Sequence, residues 1–254
     1  MILVIGGTAD SRQLAAYLSG MGAKVTLSVA TPLGARVFQE KTAIELVQQI
    51  FTEETLPRFI SEKNITAVVD ASHPFAIQVS QLAQRVCGDL GLPYLRFERP
   101  ELGFPEHPLL LPVDNWQQAA ATARQQAGTV FLAVGVKPLP ILHEAGLMNR
   151  KPVVARVLPE ENSIALCKQY DIAEIVALRG VAAKELNCAL FRQYDIGVVI
   201  TKDSGSTGGT PVKVEAALSM SLPIVVVRRP RVDYIRKVTS HQGVSKFLKG
   251  RGLL

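Results

Sequence analysis

Cysteine and histidine are scarce in this chain of 254 residues, and their placement argues against a metal centre. The three cysteines are Cys87, Cys167 and Cys188. They lie far apart in the sequence and lack the spacing of metal ligands. Among the four histidines, His107, His143 and His241 share no motif with one another or with carboxylates. The sequence therefore predicts no metal site. Reduced, buried thiols are the expected state, which favours a cytoplasmic protein.

Long apolar runs are missing, and aromatic residues are few. No apolar run reaches the roughly 18 to 20 residues of a membrane helix, and the chain opens on a strand-like run rather than on a secretory signal. Aromatic residues make up 6% of the chain and are not interleaved with basic ones, as a platform for single-stranded nucleic acid would require. We therefore expect neither a membrane nor a nucleic acid as a partner. A small acidic ligand explains the net charge of +6 equally well.

The stretch from Met1 to Gly22 reads as a strand, a glycine turn and a helix. An apolar run breaks at Gly6-Gly7-Thr8, and Leu14 and Leu18 then repeat at helical spacing. Glycines let the backbone approach a phosphate closely, and the N–H groups and dipole of the helix start would hold it. The candidate cofactor-binding residues of this turn are Gly6, Gly7, Thr8, Ala9, Asp10, Ser11 and Arg12. The alternative is a tight turn in which Asp10 or Ser11 caps the helix.

An internal repeat with an offset of about 130 residues divides the chain into two related halves. Four pairs of segments match in order, namely Leu3–Gly6 with Leu132–Gly135, Val25–Val29 with Val153–Val157, Ala67–Asp70 with Gly197–Ile200, and Gly91–Pro100 with Ser221–Pro230. The continuous Val, Ile and Leu runs fit strands that are buried on both faces of a parallel sheet. Helices are predicted after Thr8, Pro74, Asn115 and Pro211.

These patterns predict an α/β protein of two Rossmann-like halves with parallel sheets, related by the repeat and facing a shared cleft. The first half, residues 1–99, would bind a nucleotide, and the second half spans residues 113–254. A proline-rich connector, residues 100–112, joins them, and a connecting strand could cross between the sheets. Loops at the carboxyl ends of the strands would line the cleft.

The loop Asp70-Ala-Ser-His-Pro-Phe-Ala76 follows the fourth strand of the first half. Pro74 suits the first position of a helix, with Ser72 or His73 as its cap. His73 could bind a ligand or transfer a proton near neutral pH, and a capping or structural histidine is the alternative. Ser72, His73 and Pro74 are therefore candidate cofactor-binding residues, and His73 is also a candidate catalytic residue.

The matching loop of the second half, Thr201–Pro211, is rich in glycine and hydroxyl residues. Its successive N–H groups can form an anion nest, to which neighbouring lysines add positive charge. The loop lacks the P-loop pattern, which argues against ATP hydrolysis, and a flexible surface loop is the alternative. The candidate substrate-binding residues are Lys202, Ser204, Gly205, Thr210 and Lys213, and Lys202 is also a candidate catalytic residue.

Other candidates lie at the ends of predicted strands. Gly135-Val-Lys137 ends the first strand of the second half, so Gly135 is a candidate for the cofactor and Lys137 for the substrate. Arginine matches the planar geometry of a carboxylate, and the arginines in or just after strand patterns are Arg96, Arg99, Arg156, Arg228 and Arg229. Arg228 is the substrate-binding candidate among them. An exposed charge on an edge strand is the alternative for any one of these arginines.

Together these segments resemble the precorrin-6A reductase or cobalt-precorrin-6A reductase family of corrin-ring biosynthesis. The resemblance rests, in order along nearly the whole chain, on Ile5–Arg12, Asp70–Phe75, Leu95–Pro100, Ala155–Pro159, Thr201–Gly205 with Lys213–Glu215, and Val226–Pro230. Asp10 and Ser11 stand where the family more often has Glu and Ala.

The resemblance implies reduction of one carbon–carbon double bond of the precorrin-6A macrocycle, usually described as C18=C19, to give precorrin-6B in cobalamin biosynthesis. A nicotinamide cofactor would give the hydride, and solvent or an acid the proton. The substrate would be an acidic tetrapyrrole with acetate and propionate groups. Two alternatives remain open at this point: a non-enzymatic nucleotide-binding or regulatory module, and a sugar-nucleotide-dependent transferase.

The second strand, Val25–Thr31, bears on the choice of cofactor. In dinucleotide folds an acidic residue at the end of this strand binds the ribose 2′-OH and repels a 2′-phosphate. No acidic residue stands here, Ser28 and Thr31 could donate hydrogen bonds instead, and Arg36 is close enough in sequence to reach a phosphate. The sequence therefore predicts NADPH, with NADH as the alternative.

Overall fold

The computed structural model describes residues 1–31, 44–101, 103–149, 151–172 and 174–254. Within these ranges the chain forms two compact units. The first comprises Met1–Pro100 together with Arg231–Leu254, and the second comprises Glu101–Pro230. Each unit is built around one parallel sheet.

The first unit begins with alternating strands and helices. They are β1 (Ile2–Ile5), α1 (Ala9–Gly20), β2 (Val25–Val29), β3 (Ile44–Gln48), α2 (Thr55–Glu62), β4 (Ala67–Asp70), α3 (Ile77–Asp89) and β5 (Tyr94–Phe97). The second unit follows with β6 (Leu110–Val113), α4 (Trp116–Arg124), β7 (Thr129–Leu132), α5 (Leu139–Glu144), β8 (Val153–Val157), α6 (Glu161–Gln169), β9 (Glu174–Ala177), α7 (Lys184–Gln193), β10 (Ile196–Lys202), α8 (Thr210–Ser219) and β11 (Ile224–Val227). The chain then returns to the first unit with β12 (Lys237–Val238) and α9 (His241–Lys249).

The two six-stranded sheets have the same strand arrangement. The first has the order β3-β2-β1-β4-β5-β12, which is the doubly wound Rossmann order with β12 in the sixth place. The second has the order β9-β8-β7-β10-β11-β6, and its sixth place is filled by a strand that precedes the others in the sequence. All strand pairs are parallel. The predicted α/β fold with parallel sheets is therefore confirmed.

The central strands are buried on both faces because helices cover both sides of each sheet. In β1 the side chains alternate between two cores: Ile2 and Val4 pack with Leu14 of α1, whereas Leu3 and Ile5 lie in the core that contains α2 and α3. Continuous apolar runs such as Ile-Leu-Val-Ile are what this two-sided burial requires.

Three of the four predicted helix starts are confirmed, and one is wrong. Thr8 caps α1, Asn115 caps α4 with its side chain, and α8 has a proline in its first turn. The helix expected at Pro74 begins only at Ile77. The reason is a local turn, in which Nδ1 and the carbonyl of His73 accept hydrogen bonds from the N–H groups of Phe75 and Ala76.

The C-terminal segment Arg231–Leu254 belongs to the first unit, whereas the sequence placed it in the second half. Its strand β12 pairs with β5, and Val244, Phe247 and Leu248 of α9 are buried in the core beside α1. Conversely, β6 begins within the predicted connector and joins the second sheet through β11. Pro112 is tolerated there because β6 is an edge strand.

One of the four segment matches in the predicted repeat is out of register. β7 ends at Leu132, so the match of Leu3–Gly6 with Leu132–Gly135 sets β1 against the end of β7 and the loop after it. The match of Gly91–Pro100 with Ser221–Pro230 places β5 against β11, the fifth strands of the two sheets. Gly91 and Ser221 both adopt a positive φ, at 64° and 55°.

Two further expectations concern the whole chain. Cys87, Cys167 and Cys188 are buried and unpaired, and burial raises the pKa of the Cys87 thiol to about 12. Among the described residues, no helix has both the length and the apolar character needed to cross a membrane.

Candidate functional site

Two glycines with different roles shape the turn between β1 and α1. Gly7 has a φ of +111°, and a Cβ added there would meet no atom within 4 Å, so the outer side of the turn is open. Gly6 is needed for a different reason, because an added Cβ would lie 2.6 Å from Leu27 Cδ1 and 2.8 Å from Ser11 Oγ. One glycine thus gives the turn its conformation, and the other lets it pack on the sheet.

Thr8 and Ser11 form a capping box that holds this turn. Ser11 N–H donates to Thr8 Oγ1 at 3.1 Å, while Ser11 Oγ accepts from the N–H groups of Gly7 and Thr8 at 3.1 and 3.0 Å. Ser11 is fully buried. Its hydroxyl therefore supports the turn from inside. Arg12 lies on the first turn of α1 and is half-buried.

A buried ionic network underlies the neighbouring loop after β4. Arg96 of β5 is fully buried, and its Nη1 lies 2.9 Å from Asp70 Oδ1 while its Nη2 lies 2.9 Å from Glu98 Oε2. Nη1 also donates to Ser72 Oγ at 2.9 Å. Because the Ser72 hydroxyl is used inside this network, we assign Ser72 to the support of the loop rather than to direct contact with a cofactor.

His73 is one of three residues of this loop that remain partly exposed, and the others are Phe75 and Ala76. Its Nδ1 accepts the N–H of Phe75 at 3.1 Å, so the neutral ring carries its proton on Nε2. Pro74, with Asp10 and Arg99, lines a small pocket at this edge of the first sheet. Asp10 Oδ2 lies 2.8 Å from Arg99 Nη1, so the acidic residue at the start of α1 is neutralised. Thr8 Oγ1 donates to the carbonyl of Ala71 at 3.5 Å, which joins the two loops.

The glycine-rich loop of the second unit is held by its own polar groups. Thr210 is fully buried, and its hydroxyl donates to the Lys202 carbonyl at 2.9 Å and accepts from the Ser204 N–H at 3.0 Å. The N–H of Gly205 donates to Asp203 Oδ1, whose other carboxylate oxygen lies 3.2 Å from Arg229 Nε. Thr210 and Ser204 therefore shape the loop, and the sequence patterns did not reveal this role.

Positive charge concentrates beside this loop. Burial is the main cause that lowers the pKa of Lys213 to about 7, and the positive charges of Arg156 and Lys202 lower it further. Burial and the charge of Lys137 lower the pKa of Lys202 to about 8. Burial also lowers the pKa of Arg156. Four basic side chains of the second unit, Lys137, Arg156, Lys202 and Lys213, are thus close enough for their charges to act on one another.

The remaining candidates are scattered. Arg228 is exposed and lies 2.9 Å from Asp114 in a surface ion pair, which matches the alternative that the sequence left open. Gly135 has a positive φ of 74° just after β7. Ser28 is buried within β2, so its hydroxyl is not at the open end of that strand, and Arg36 lies outside the described residues.

Sequence reasoning missed the roles of two arginines. Arg96 was a candidate for substrate carboxylates, but Asp70 and Glu98 already bind it. Arg156 donates from Nη1 to Oδ1 of the fully buried Asn187 at 2.7 Å, and nothing in the pattern around Asn187 marked it. The only available signal was an asparagine on a face of α7 that is otherwise apolar.

A doubly wound parallel sheet with a glycine turn between β1 and α1 defines the class of Rossmann-type α/β proteins, which bind dinucleotides at this turn. The chain belongs to the precorrin-6x reductase CbiJ/CobK family, whose model matches residues 1–249. The family identified from the sequence segments, and with it an oxidoreductase of cobalamin biosynthesis, is therefore confirmed.

Individual relatives agree with this membership. The chain is 34% identical over 237 residues to a cobalt-precorrin-6A reductase of Priestia megaterium, and the match covers 92% of each chain. It is 37% identical over 233 residues to a cobalt-precorrin-6A reductase of Methanocaldococcus jannaschii, again over 92% of each chain. A solved structure of CobK precorrin-6A reductase matches with a TM-score of 0.78 at 24% identity, covering 99% of this chain and 96% of that one, which shows a shared fold.

Proposed function

We propose that this protein reduces one carbon–carbon double bond of the precorrin-6A macrocycle with NADPH and thereby forms precorrin-6B. The observation that carries the proposal is the family match along residues 1–249, because it spans both units and not the dinucleotide-binding fold alone. The open glycine turn of the first unit and the cation cluster of the second unit supply the two kinds of site that such a reaction needs.

The first unit fits a nicotinamide dinucleotide. The open side of Gly7 and the start of α1 would hold the pyrophosphate, since the first-turn N–H groups of Ala9 and Asp10 lie at the positive end of the helix dipole. Half-buried Arg12 would add a cationic contact. When bound, the cofactor supplies a hydride. The chain's own task is then to orient the reactants and to exclude water from them.

Lys137, Lys202 and Lys213 would bind acidic groups of the substrate. Lys202 and His73 are also our candidates for holding or moving the proton that complements the hydride. Lys202 has a pKa of about 8, so a fraction of this side chain can give up its proton near neutral pH. The neutral His73 ring has an N–H at Nε2. Alanine at either position should lower kcat far more than it lowers the thermal midpoint, and full kcat in both variants would remove both residues from the reaction.

The choice of NADPH over NADH rests on the end of β2. No acidic side chain follows Val29 before Thr31, so nothing in this short segment repels a 2′-phosphate. The ratio of kcat/KM for the two cofactors measures the preference. We expect NADPH to be favoured by about 10-fold or more, which is the worth of one charge-assisted contact. An NADH preference would contradict the proposal.

An anaerobic assay tests the reaction itself. Purified protein is mixed with NADPH and either metal-free or cobalt-bound precorrin-6A, and the loss of NADPH absorbance is followed beside the tetrapyrrole spectrum. Oxidation of NADPH that requires one of the two macrocycles is the expected result, and comparing the two identifies the physiological form. No oxidation with either would refute the proposed function.

A further inference from the structure

The two loops that would hold anions each contain a single acidic residue. In the turn between β1 and α1, residues 6–12, this residue is Asp10, and in the glycine-rich loop, residues 201–211, it is Asp203. A carboxylate in such a loop repels the phosphate or carboxylate group that the loop would hold. Because both aspartates are buried, solvent and salt screen this repulsion only weakly.

Each aspartate also stabilises the loop in which it lies. Asp10 is in the first turn of α1, where its charge complements the positive end of the helix dipole. Asp203 Oδ1 accepts the N–H of Gly205 at 3.0 Å, and the N–H of Asp203 donates to the carbonyl of Val227 at 2.8 Å. The shape of each loop therefore favours a carboxylate, whereas the affinity of the loop for an anion disfavours one.

In both units an arginine is paired with this aspartate. Arg99 Nη1 lies 2.8 Å from Asp10 Oδ2, and each of these side chains is 12% exposed. Arg229 Nε lies 3.2 Å from Asp203 Oδ2, and these side chains are 3% and 5% exposed. At such burial the effective dielectric constant is far below that of water, so each guanidinium cancels much of the field of its carboxylate.

The two arginines occupy equivalent positions in the internal repeat. The sequence match aligns Arg99 with Arg229, each of them two residues past the fifth strand of its sheet, β5 or β11. Each is followed by a proline, Pro100 or Pro230, which restricts the backbone of the arginine to extended conformations. From this common position Arg99 reaches the loop after β1 and Arg229 the loop after β10. The same position thus serves a different loop in each unit, and in each unit that loop contains the aspartate.

We propose that Arg99 and Arg229 are charge-screening residues, each of which cancels the charge of the only acidic residue in an anion-binding loop. In the first unit the anion is the pyrophosphate of the dinucleotide, and in the second it is a carboxylate side chain of the tetrapyrrole. Both arginines act through their aspartate, so they are positioning residues and not catalytic ones. The identities of the two ligands rest on the proposed function, whereas the two pairs and their places in the repeat do not.

The first arm of the test measures the Kd for NADPH by fluorescence titration. Arg99→Met should raise this Kd by about 10- to 100-fold, because the Asp10 carboxylate is left uncancelled beside the pyrophosphate. The double variant Arg99→Met/Asp10→Asn should return to within about threefold of the wild type, since both charges are removed together. Asp10→Asn alone should bind NADPH at least as tightly as the wild type. The matched control is Arg85→Met, at a surface arginine paired with Glu53, and its Kd should not change.

The second arm repeats this design in the second unit with the KM for precorrin-6A. Arg229→Met should raise KM by a similar factor and leave the Kd for NADPH unchanged, and Arg229→Met/Asp203→Asn should restore KM. Asparagine keeps an oxygen that can accept the N–H of Gly205, so the double variant preserves this contact of the loop. The control is Arg192→Met, at an exposed arginine of α7.

Thermal midpoints in sodium citrate, a small polycarboxylate, repeat the second arm without a tetrapyrrole. Citrate should stabilise the wild type and the double variant Arg229→Met/Asp203→Asn more than it stabilises Arg229→Met. Sodium chloride at equal ionic strength is the control for general salt effects. An equal citrate shift in all three proteins would contradict the role of Arg229.

The double variants distinguish screening from a merely structural role. A buried charge left without its partner is costly, whereas removing a whole buried pair is often neutral, so each double variant should fold even where the single arginine variant does not. The double variant is then compared with the single aspartate variant, and wild-type affinity in both supports screening. A double variant that binds as weakly as an arginine loss predicts would show that the arginine contacts the ligand itself, and would overturn the proposal.

The outcomes also separate this proposal from the proposed function. Arginine variants with wild-type Kd and KM, in a protein that reduces precorrin-6A, would overturn the screening role and leave the function standing. Loss and rescue of NADPH affinity and of citrate stabilisation, in a protein that reduces no precorrin, would support the screening role and refute the function.

Discussion

At the scale of single residues, Gly7 is expected to have two roles: it sets the conformation of the turn, and it leaves room for the cofactor. Its positive φ disfavours any L-residue, and the space beside it is open. Gly7→Ala should therefore cost about 1 kcal/mol of stability and also weaken NADPH binding, because a methyl group would occupy the place of the pyrophosphate. Thermal shifts and fluorescence titration with NADPH measure the two effects. The bulkier Gly7→Val could not distinguish the loss of stability from the loss of NADPH affinity, since strain at this φ would disturb the fold as well.

Gly22→Ala is the matched control, since Gly22 also has a positive φ, of 87°, and open space around its missing Cβ. It lies just past the far end of α1. Both variants should lose similar stability, and only Gly7→Ala should lose affinity. Equal NADPH affinity in the two variants would exclude this turn from the cofactor site.

The lowered pKa of Lys213 predicts how the stability of the protein depends on pH. Its pKa is about 7 in the folded protein, against an ordinary value of 10.5, because it is buried and faces Arg156 of β8 and Lys202 of β10. Between these two values the unfolded chain binds more protons than the folded one, so stability should rise with pH from about 7 to about 10. One proton contributes at most about 1.4 kcal/mol per pH unit.

Urea unfolding of the substrate-free protein at pH 7, 8 and 9 measures this slope. Lys213→Met should reduce it, while some slope remains from Lys202, whose pKa is also lowered. Lys184→Met should keep the wild-type slope because that lysine lies in a surface ion pair. A slope that is the same in Lys213→Met and wild type would show that Lys213 is not desolvated as described.

At the scale of elements, α9 and β12 complete the first sheet from the far end of the chain. Leu248 is fully buried beside α1, so Leu248→Ala should cost about 2 to 5 kcal/mol and weaken protection of β5 amides against hydrogen exchange. Leu186→Ala, at a leucine of α7 that is 42% exposed, is the control and should cost less than about 0.5 kcal/mol. A Leu248→Ala protein as stable as this control would contradict the placement of α9.

The elements also show what the sequence can and cannot predict. Central strands such as β1 were predictable because a parallel sheet demands continuous apolar runs, and α1 was predictable from its glycine turn and helical spacing. The return of β12 to β5 was not, since a strand of two residues, Lys237–Val238, has no pattern of its own. The predicted helix start at Pro74 was wrong because a hydrogen bond from the Phe75 N–H to His73 Nδ1, which the sequence does not reveal, favours a turn.

In the candidate site, too, some residue roles could be predicted from the sequence and others could not. The glycines, Lys202 and Lys213 stood out because residue type and position after a strand already indicate binding. Ser11, Ser72 and Thr210 carry the same signal, yet their hydroxyls are used inside the protein. Which polar groups have internal partners depends on contacts between distant segments, and these emerge only from the folded structure.

At the scale of the whole molecule, the two units have the same sheet arrangement but different polar groups at their strand ends. The first unit has an open glycine turn, and in the network after β4 the cation Arg96 is paired with the carboxylates of Asp70 and Glu98. In the second unit, Arg156 donates to Asn187 Oδ1 and Lys213 donates to the carbonyl of Gly208, and both acceptors are uncharged. This difference suits a dinucleotide in the first unit and an acidic substrate in the second.

Transfer of a labelled hydride tests the central claim most directly. The protein is mixed under anaerobic conditions with precorrin-6A and NADPH that carries deuterium at C4 of the nicotinamide, and the product is analysed by mass spectrometry. The account predicts a reduced macrocycle in which one deuterium is bound to carbon, with the label depending on which C4 face is deuterated. A macrocycle recovered unreduced, or reduced without deuterium from either face, would contradict it.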